Sequence, residues 1–314
     1  MSNGCQLHAL NTIVLQLSPE VQDALASRTP VVALESSVLA QGLPEPSNRQ
    51  AAERMERAVR SAGAVPALTA VIAGQPTLGV SPEGMERLLA RTGVRKVAAR
   101  DLSVCVAQGA DGATTVSAAL TLARAAHVQV FATGGIGGVH RQAPYDESAD
   151  LAELGRTAML VVCAGAKSIL DLAATLERLE SYGVTLIGYR TDELPGFFTA
   201  STGLRLPARA DQPSEIAATF RAARALQLPG ATLVVQPPPS DSALDPELVD
   251  RAVTAALQRA IWEGVTGAGV TPFLLKEVER ETDGRSLGAN LALLEANAAL
   301  AAELAVELSA ASRH

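Results

Sequence analysis

Residues 128–138, VQVFATGGIGG, run from a short apolar stretch straight into a glycine-rich loop. An apolar run of this length bounded by turn residues reads as a strand covered on both faces. The same pattern returns at AMLVVCAG (158–165). It is followed by an amphipathic helix, SILDLAATLERLESYG (168–183), and by another apolar run, VTLIGYRT (184–191). Strand, helix and strand at this spacing predict parallel pairing through crossover helices, hence an α/β fold. Working outward, VVALESSVL (31–39) reads as a further buried strand. Residues 46–63 read as a helix, with Ser47 or Asn48 as cap and Gly63 as stop. ALTAVIAGQPTLGV reads as strand, turn and strand, 81–93 as a short helix, and KVAARDL as a sheet edge. Residues 113–127 read as a helix, PSEIAATFRAARALQLPG as another, and ATLVVQPPP (231–239) as a strand stopped by three prolines. Residues 245–263 read as a helix, 264–272 as a loop, and 286–312 as a long Ala/Leu helix capped by Ser286. That last helix is apolar on most faces and must be buried, within the chain or between chains. No repeat or linker interrupts the pattern, so a single domain over 1–314 is expected.

Of the 314 residues, 48% are hydrophobic and 19% charged, which excludes disordered, collagenous and coiled-coil classes. Aromatic residues are only 3%, so the core is built from Ala, Val, Leu and Ile. The net charge of −7 leaves no broad basic surface for nucleic acid, although one small basic pocket for a phosphate remains compatible. Cys5, Cys105 and Cys163 have neither a disulfide nor a metal-ligand pattern, as in a reduced cytoplasmic protein. No secretory signal or membrane span is expected.

Lysine occurs only at Lys96, Lys167 and Lys276, so 23 of the 26 cationic side chains are arginines. A lysine kept in such a chain is a suspect for chemistry that guanidinium cannot do. Arginine stays protonated, whereas a desolvated lysine can lose its proton and attack a carbonyl. Lys167 follows the 158–165 strand, where open α/β sheets place their catalytic groups. Lys96 lies between Arg95 and Arg100, a cluster suited to a phosphate. Glu35 stands inside an apolar strand, where a carboxyl is a candidate general acid. The loop TGGIGGVH (133–140) lets backbone N–H groups approach an anion, but it matches neither dinucleotide nor P-loop patterns. Asp146, Glu147, Ser148 and Asp150 could ligate Mg²⁺ or Mn²⁺, or simply open a helix. The histidines, His127 and His140 among them, are too scattered for zinc.

Together ALESSVLAQGLPEPSN, KVAARDL, GATTVSAAL, VFATGGIGGVHR, DESADL, VCAGAKSILDL, GYRTDELPGFFT and VTPFLLKEVERETDGRSLGANLALLEANAALAAELA resemble the pseudouridine-5′-phosphate glycosidase, or indigoidine synthase A-like, family. The resemblance covers nearly the whole chain. It implies a three-layer α/β/α fold with a largely parallel or mixed sheet, and a homotrimer. It implies reversible cleavage of the C–C glycosidic bond of pseudouridine 5′-phosphate to uracil and ribose 5-phosphate, the reverse reaction being a hydro-lyase-type synthesis. Position by position, it makes Lys167 the nucleophile and Glu35 the proton donor. Lys96, Val116, Ser148, Ala149 and Asp150 become substrate-binding positions, and Asp146 the Mn²⁺ ligand. Thr133, His140 and Asn290 fall in matching motifs near the site. The chain departs from the pattern at Gln41, Glu45 and Ser47 (QGLPEPSN for the usual HGMPYPQN), at Ala99, at Gln236 and Ser240, and in a shorter loop between His140 and Asp146. These departures bear on substrate affinity, base preference and metal dependence. A related lysine-dependent lyase on another phosphorylated sugar, and a non-catalytic metabolite-binding protein, are the alternatives.

Overall fold

Four short buried strands, Val31–Leu34, Val130–Ala132, Leu160–Cys163 and Thr232–Val235, form the middle of the sheet. The computed structural model describes residues 15–141 and 145–311. Cys5 lies outside the described residues, as do 142–144 of the loop before Asp146. All neighbouring pairs among these four strands are parallel. The sheet continues through Thr185–Tyr189 and Arg209–Ala210 on one side, also in parallel. On the other side lies Val65–Ile72, parallel to Val31–Leu34 but antiparallel to Gln75–Leu78 and Gly112–Thr114. The sheet is thus mixed and mostly parallel, as expected. Helices cover its two faces, which gives the three layers.

The long C-terminal helix, Arg285–Ala311, settles where its apolar surface goes. It packs inside the chain, against the helices Ser47–Ser61 and Pro213–Ala225 and over the central strands. Leu293, Leu294, Leu300 and Leu304 are buried, with Ala298, Ala301 and Ala302 between them. Small side chains let helix and sheet approach closely in a core so poor in aromatics. Truncating one of these leucines to alanine costs about 2–5 kcal/mol.

Several boundaries differ from expectation, each for a local reason. The first strand is not 31–39 but stops at Leu34, and a π-helical turn occupies Val38–Gly42. Ser36 ends the strand by cross-linking it: its hydroxyl donates to Thr69 O (2.7 Å) and accepts from Thr114 N (2.9 Å). The helix Ser47–Ser61 has no side-chain cap: Pro46 occupies the cap position, and Asn48 accepts from Arg49 N through Oδ1 (2.8 Å) while its Nδ2 donates to Leu39 O and Leu89 O. Residues 112–114 form a strand beside Arg95–Val97, so the following helix is only Val116–Ala125. Helix Leu172–Ser181 starts late because Leu170–Asp171 pairs antiparallel with Val139–His140. The expected loop at 264–272 already contains the start of helix Val270–Glu281. Ser286 does not cap the last helix; its N–H donates to the Thr282 hydroxyl (3.2 Å).

Candidate active site

The parallel central strands all point their carboxyl ends to one edge, where an open α/β sheet builds its sites. Glu35 directly follows Val31–Leu34, Thr133 follows Val130–Ala132, and Lys167 lies just beyond Leu160–Cys163. Shortening of the first strand is therefore what puts Glu35 at a strand end rather than in mid-strand. Backbone hydrogen bonds from Lys167 N to Ile136 O and from Ile136 N to Gly165 O (both 3.1 Å) tie the lysine turn to the glycine loop. Gly165 has φ +87°, and a Cβ there would strike the carbonyl of Pro195, so only glycine makes this turn.

A cavity opens at this edge. Glu35, Lys96, Lys167 and Asn290 all line it, so the structure gathers four of the sequence candidates from distant parts of the chain. Glu35 is buried and held at both oxygens: Ser37 Oγ donates to Oε2 (2.7 Å) and Thr133 Oγ1 donates to Oε1. Asn290 is 7% exposed, and its Oδ1 has no hydrogen-bond partner among the described residues. Val116, Ser148 and Ala149 are not among the lining residues.

Lys96 has accessible surface, but it opens into the cleft, where protein displaces much of its water. That desolvation, followed by the nearby charge of Lys167, lowers its pKa below the ordinary lysine value. Asp150 and Glu35 pull it back upward. The expected cluster with Arg95 and Arg100 does not form, since Arg95 donates to Gln108 and Arg100 pairs with Asp101. The ion pairs among the described residues all use arginine as the cation. Structural charge pairing has gone to arginine, and two of the three lysines face the cavity. The third, Lys276, is exposed on helix Val270–Glu281.

The acidic stretch 146–150 does not converge on one cation. Glu147 pairs with Arg178 (2.9 Å), and Ser148 caps the helix Ala149–Arg156. Asp150 is buried, and its two oxygens accept from Ser117 N and Gly137 N, each at 2.9 Å. Its carboxylate thus occupies the amide groups of the helix start and the glycine loop, where the sequence pattern had allowed an external anion. Gly137 itself is packed against Ser148 and Asp150, and Gly135 against Phe197. The loop's glycines serve close packing as much as ligand approach.

His140 is half-buried, and desolvation lowers its pKa; Asp146 raises it, while Lys96 and Lys167 lower it further. The backbone N–H of His140 donates to the backbone carbonyl of Asp146 (2.9 Å). Asp146 is exposed. No group of three metal-ligating side chains occurs among the described residues. A hard divalent cation needs few protein ligands, and one carboxylate completed by water and substrate oxygens is a normal arrangement for it. Asp146 fits such a water-rich site and no closed one.

Three further residues belong to the site. Asn297, two turns after Asn290, donates to Thr133 O (2.8 Å) and Gly134 O (3.2 Å) and accepts from Gln236 Nε2 (2.9 Å). It anchors the peptide that carries Thr133, and through it Glu35. Its signal in the sequence is the i, i+7 repeat of Asn on an apolar helix. Phe197 lines the cavity with φ +67°, a strained value for a bulky residue. Gln41 lines it from the π-helical turn, a placement that no local pattern reveals.

A family model described as indigoidine synthase A like protein matches residues 20–307. The chain belongs to the indigoidine synthase A-like family. It is 61% identical over 288 residues to the pseudouridine-5′-phosphate glycosidase of Gemmatimonas aurantiaca, covering 92% of this chain and 94% of that one. It is 52% identical over 296 residues to the enzyme of the same name from Herpetosiphon aurantiacus, covering 94% and 98%. Among solved structures, the prealnumycin C-glycosynthase AlnA, in complex with ribulose 5-phosphate, superposes with a TM-score of 0.88 at 39% identity, over 96% of this chain and 98% of that one. An indigoidine synthase A-like protein of Thermotoga maritima gives 0.87 at 35% identity, over 95% and 97%. No helix among the described residues is long and apolar enough to cross a membrane.

Proposed function

We propose that the chain is a pseudouridine-5′-phosphate glycosidase. It would cleave the C–C glycosidic bond reversibly, with water, to uracil and ribose 5-phosphate through an imine-type adduct on Lys167. The observation that carries this reading is the joint presence of Lys167, Lys96 and Glu35 in one cavity, in a chain whose other cations are nearly all arginines. The names of relatives up to 61% identical support the substrate.

A C–C glycosidic bond resists the two-carboxylate route that serves O-glycosides, because a carbanion is a poor leaving group. Glu35 protonates the ring oxygen of the ribose while the Lys167 amine bonds to C1′ and the C1′–O bond opens. The nitrogen now bonded to C1′ loses a proton and uracil C5 gains one; the C1′–C5 bond then breaks, its electron pair returning to the uracil ring as the freed nitrogen lone pair forms the C=N bond. Water adds to C1′ of this iminium, and ribose 5-phosphate leaves Lys167 free. Thr133 and Ser37 hold Glu35 in position. Lys96 holds the phosphate, and Val116 and the 148–150 segment, which lie outside the cavity lining, are the further substrate-binding positions that the resemblance implies. His140 and Asn290 contact the substrate. Asp146 would hold Mn²⁺, which supplies positive charge to water and substrate oxygens. The same resemblance supports a homotrimer, a single catalytic domain and a cytoplasmic location.

A second reading, C-glycoside formation from another pentose phosphate through Lys167, is favoured by the ribulose 5-phosphate bound to the AlnA relative. Incubating the purified protein with Mn²⁺, uracil and ribose 5-phosphate separates the two. Pseudouridine 5′-phosphate, identified by mass, is the expected product. No product with uracil, but one with another acceptor and a pentose phosphate, would overturn the first reading.

A further inference from the structure

Gln41 is fixed in one orientation. Its Nε2 donates to Val94 O (3.3 Å), a carbonyl that can only accept, so the amide nitrogen must face Val94 and Oε1 must face the other way. That oxygen is buried without a partner, in a residue that lines the cavity. The only other lining residue with a buried, unpartnered oxygen among those described is Asn290. Buried acceptors without donors are rare in native proteins and mark a place where something else supplies the hydrogen. Besides its polar groups, the same cavity has an apolar portion of lining from Val38, Gly42, Pro272 and Leu275. The ionisable groups of the cavity, Glu35, Lys96 and Lys167, suit the sugar phosphate and leave this part for a flat, uncharged ring.

We propose that Gln41 is a specificity-determining residue that accepts a hydrogen bond from a ring N–H of the base, with Asn290 accepting the second. This rests on the reading of the site given above. A pyrimidinedione attached through carbon keeps both of its ring N–H groups, whereas one attached through nitrogen keeps a single N–H. Two acceptors with no internal donor therefore select the carbon-linked nucleotide over uridine 5′-phosphate, which leaves one acceptor unpaired. Rejection by an unpaired buried polar group is a strong form of discrimination.

The test compares wild type with Gln41→Leu, which keeps much of the volume and removes the acceptor, in the synthetic direction. KM for uracil is expected to rise about tenfold, with KM for ribose 5-phosphate changed less than twofold. On the wild type, 1-methyluracil and 3-methyluracil should each bind weakly. In Gln41→Leu the penalty for one of these methyl groups should disappear, an outcome that misfolding cannot mimic. A shift in the ribose 5-phosphate KM alone, no shift in either, or methyl penalties equal in both proteins would overturn the assignment. If the wild type makes no pseudouridine 5′-phosphate, the proposed function fails separately. The same comparison is then read by equilibrium dialysis of uracil, where absence of binding to the wild type, or equal binding to both proteins, overturns the role of Gln41.

Discussion

Asn290 and Asn297 lie two turns apart on one helix and are both buried, yet they do opposite things. Asn297 is bonded to Thr133 O, Gly134 O and Gln236, and so belongs to the scaffold. Asn290 lines the cavity with its oxygen unpartnered. The same contrast separates Asp150, whose two oxygens hold backbone N–H groups, from exposed Asp146. It also separates the ion-paired arginines from Lys96 and Lys167. In the asparagine pair residue type and burial are the same on both sides. What distinguishes them is whether the polar group is already committed within the chain. Committed groups hold the site's geometry, and uncommitted groups are left for the ligand.

The largest effect is expected where an uncommitted group makes a covalent bond. Lys167→Arg keeps the charge but cannot form an imine, and product formation should fall by at least about 10³-fold with the melting temperature nearly unchanged. Activity in the variant within tenfold of wild type would break the contrast at its centre. Glu35→Gln keeps the shape and removes the acid, and kcat should fall about 10²–10⁴-fold.

The asparagine pair sharpens the comparison. Asn297→Leu leaves two carbonyls and the Gln236 amide without their partner and should destabilise the fold by about 2–4 kcal/mol in urea unfolding. Asn290→Leu should change stability by no more than about 0.5 kcal/mol and instead raise KM for uracil. Equal destabilisation by both would show that Asn290 is a scaffold residue.

The smallest effect is a pH dependence. The folded chain disfavours the Lys96 ammonium, through desolvation first and Lys167 second, so its pKa is lower folded than unfolded. Between the two values the unfolded chain binds the additional proton, and stability rises with pH. The penalty is full below the folded pKa and vanishes above the ordinary value of 10.5. Lys96→Met should therefore melt higher than wild type at pH 7, the gap closing as pH approaches 10.5, while KM for ribose 5-phosphate rises. A gap that widens with pH would contradict this sign.

The parallel centre of the sheet was legible because apolar runs at 128–138, 158–165, 184–191 and 231–239 recur with helices between them. Lys167, Lys96 and Glu35 were legible for a different reason: rarity of type in the first two and an acid in an apolar run in the third. The end of the first strand was not legible, because Ser36 stops it through partners at Thr69 and Thr114, far along the chain. The commitment of Asp150 was hidden for the same reason. Its position in an acidic run looks like cation binding, whereas its partners are amides of Ser117 and Gly137. Gln41 and Asn297 owe their roles to contacts more than 50 residues away in sequence. Residue type and spacing therefore mark groups able to do chemistry, and tertiary contacts decide which remain free to do it.

The most direct test is reductive trapping. The protein is treated with borohydride in the presence of ribose 5-phosphate, digested, and mapped by mass spectrometry. One pentose phosphate on the peptide carrying Lys167, with Lys96 and Lys276 unmodified and no adduct in Lys167→Arg, is the expected result. Turnover of pseudouridine 5′-phosphate by a protein whose Lys167 stays unmodified, or an adduct carried by Lys96, would contradict it.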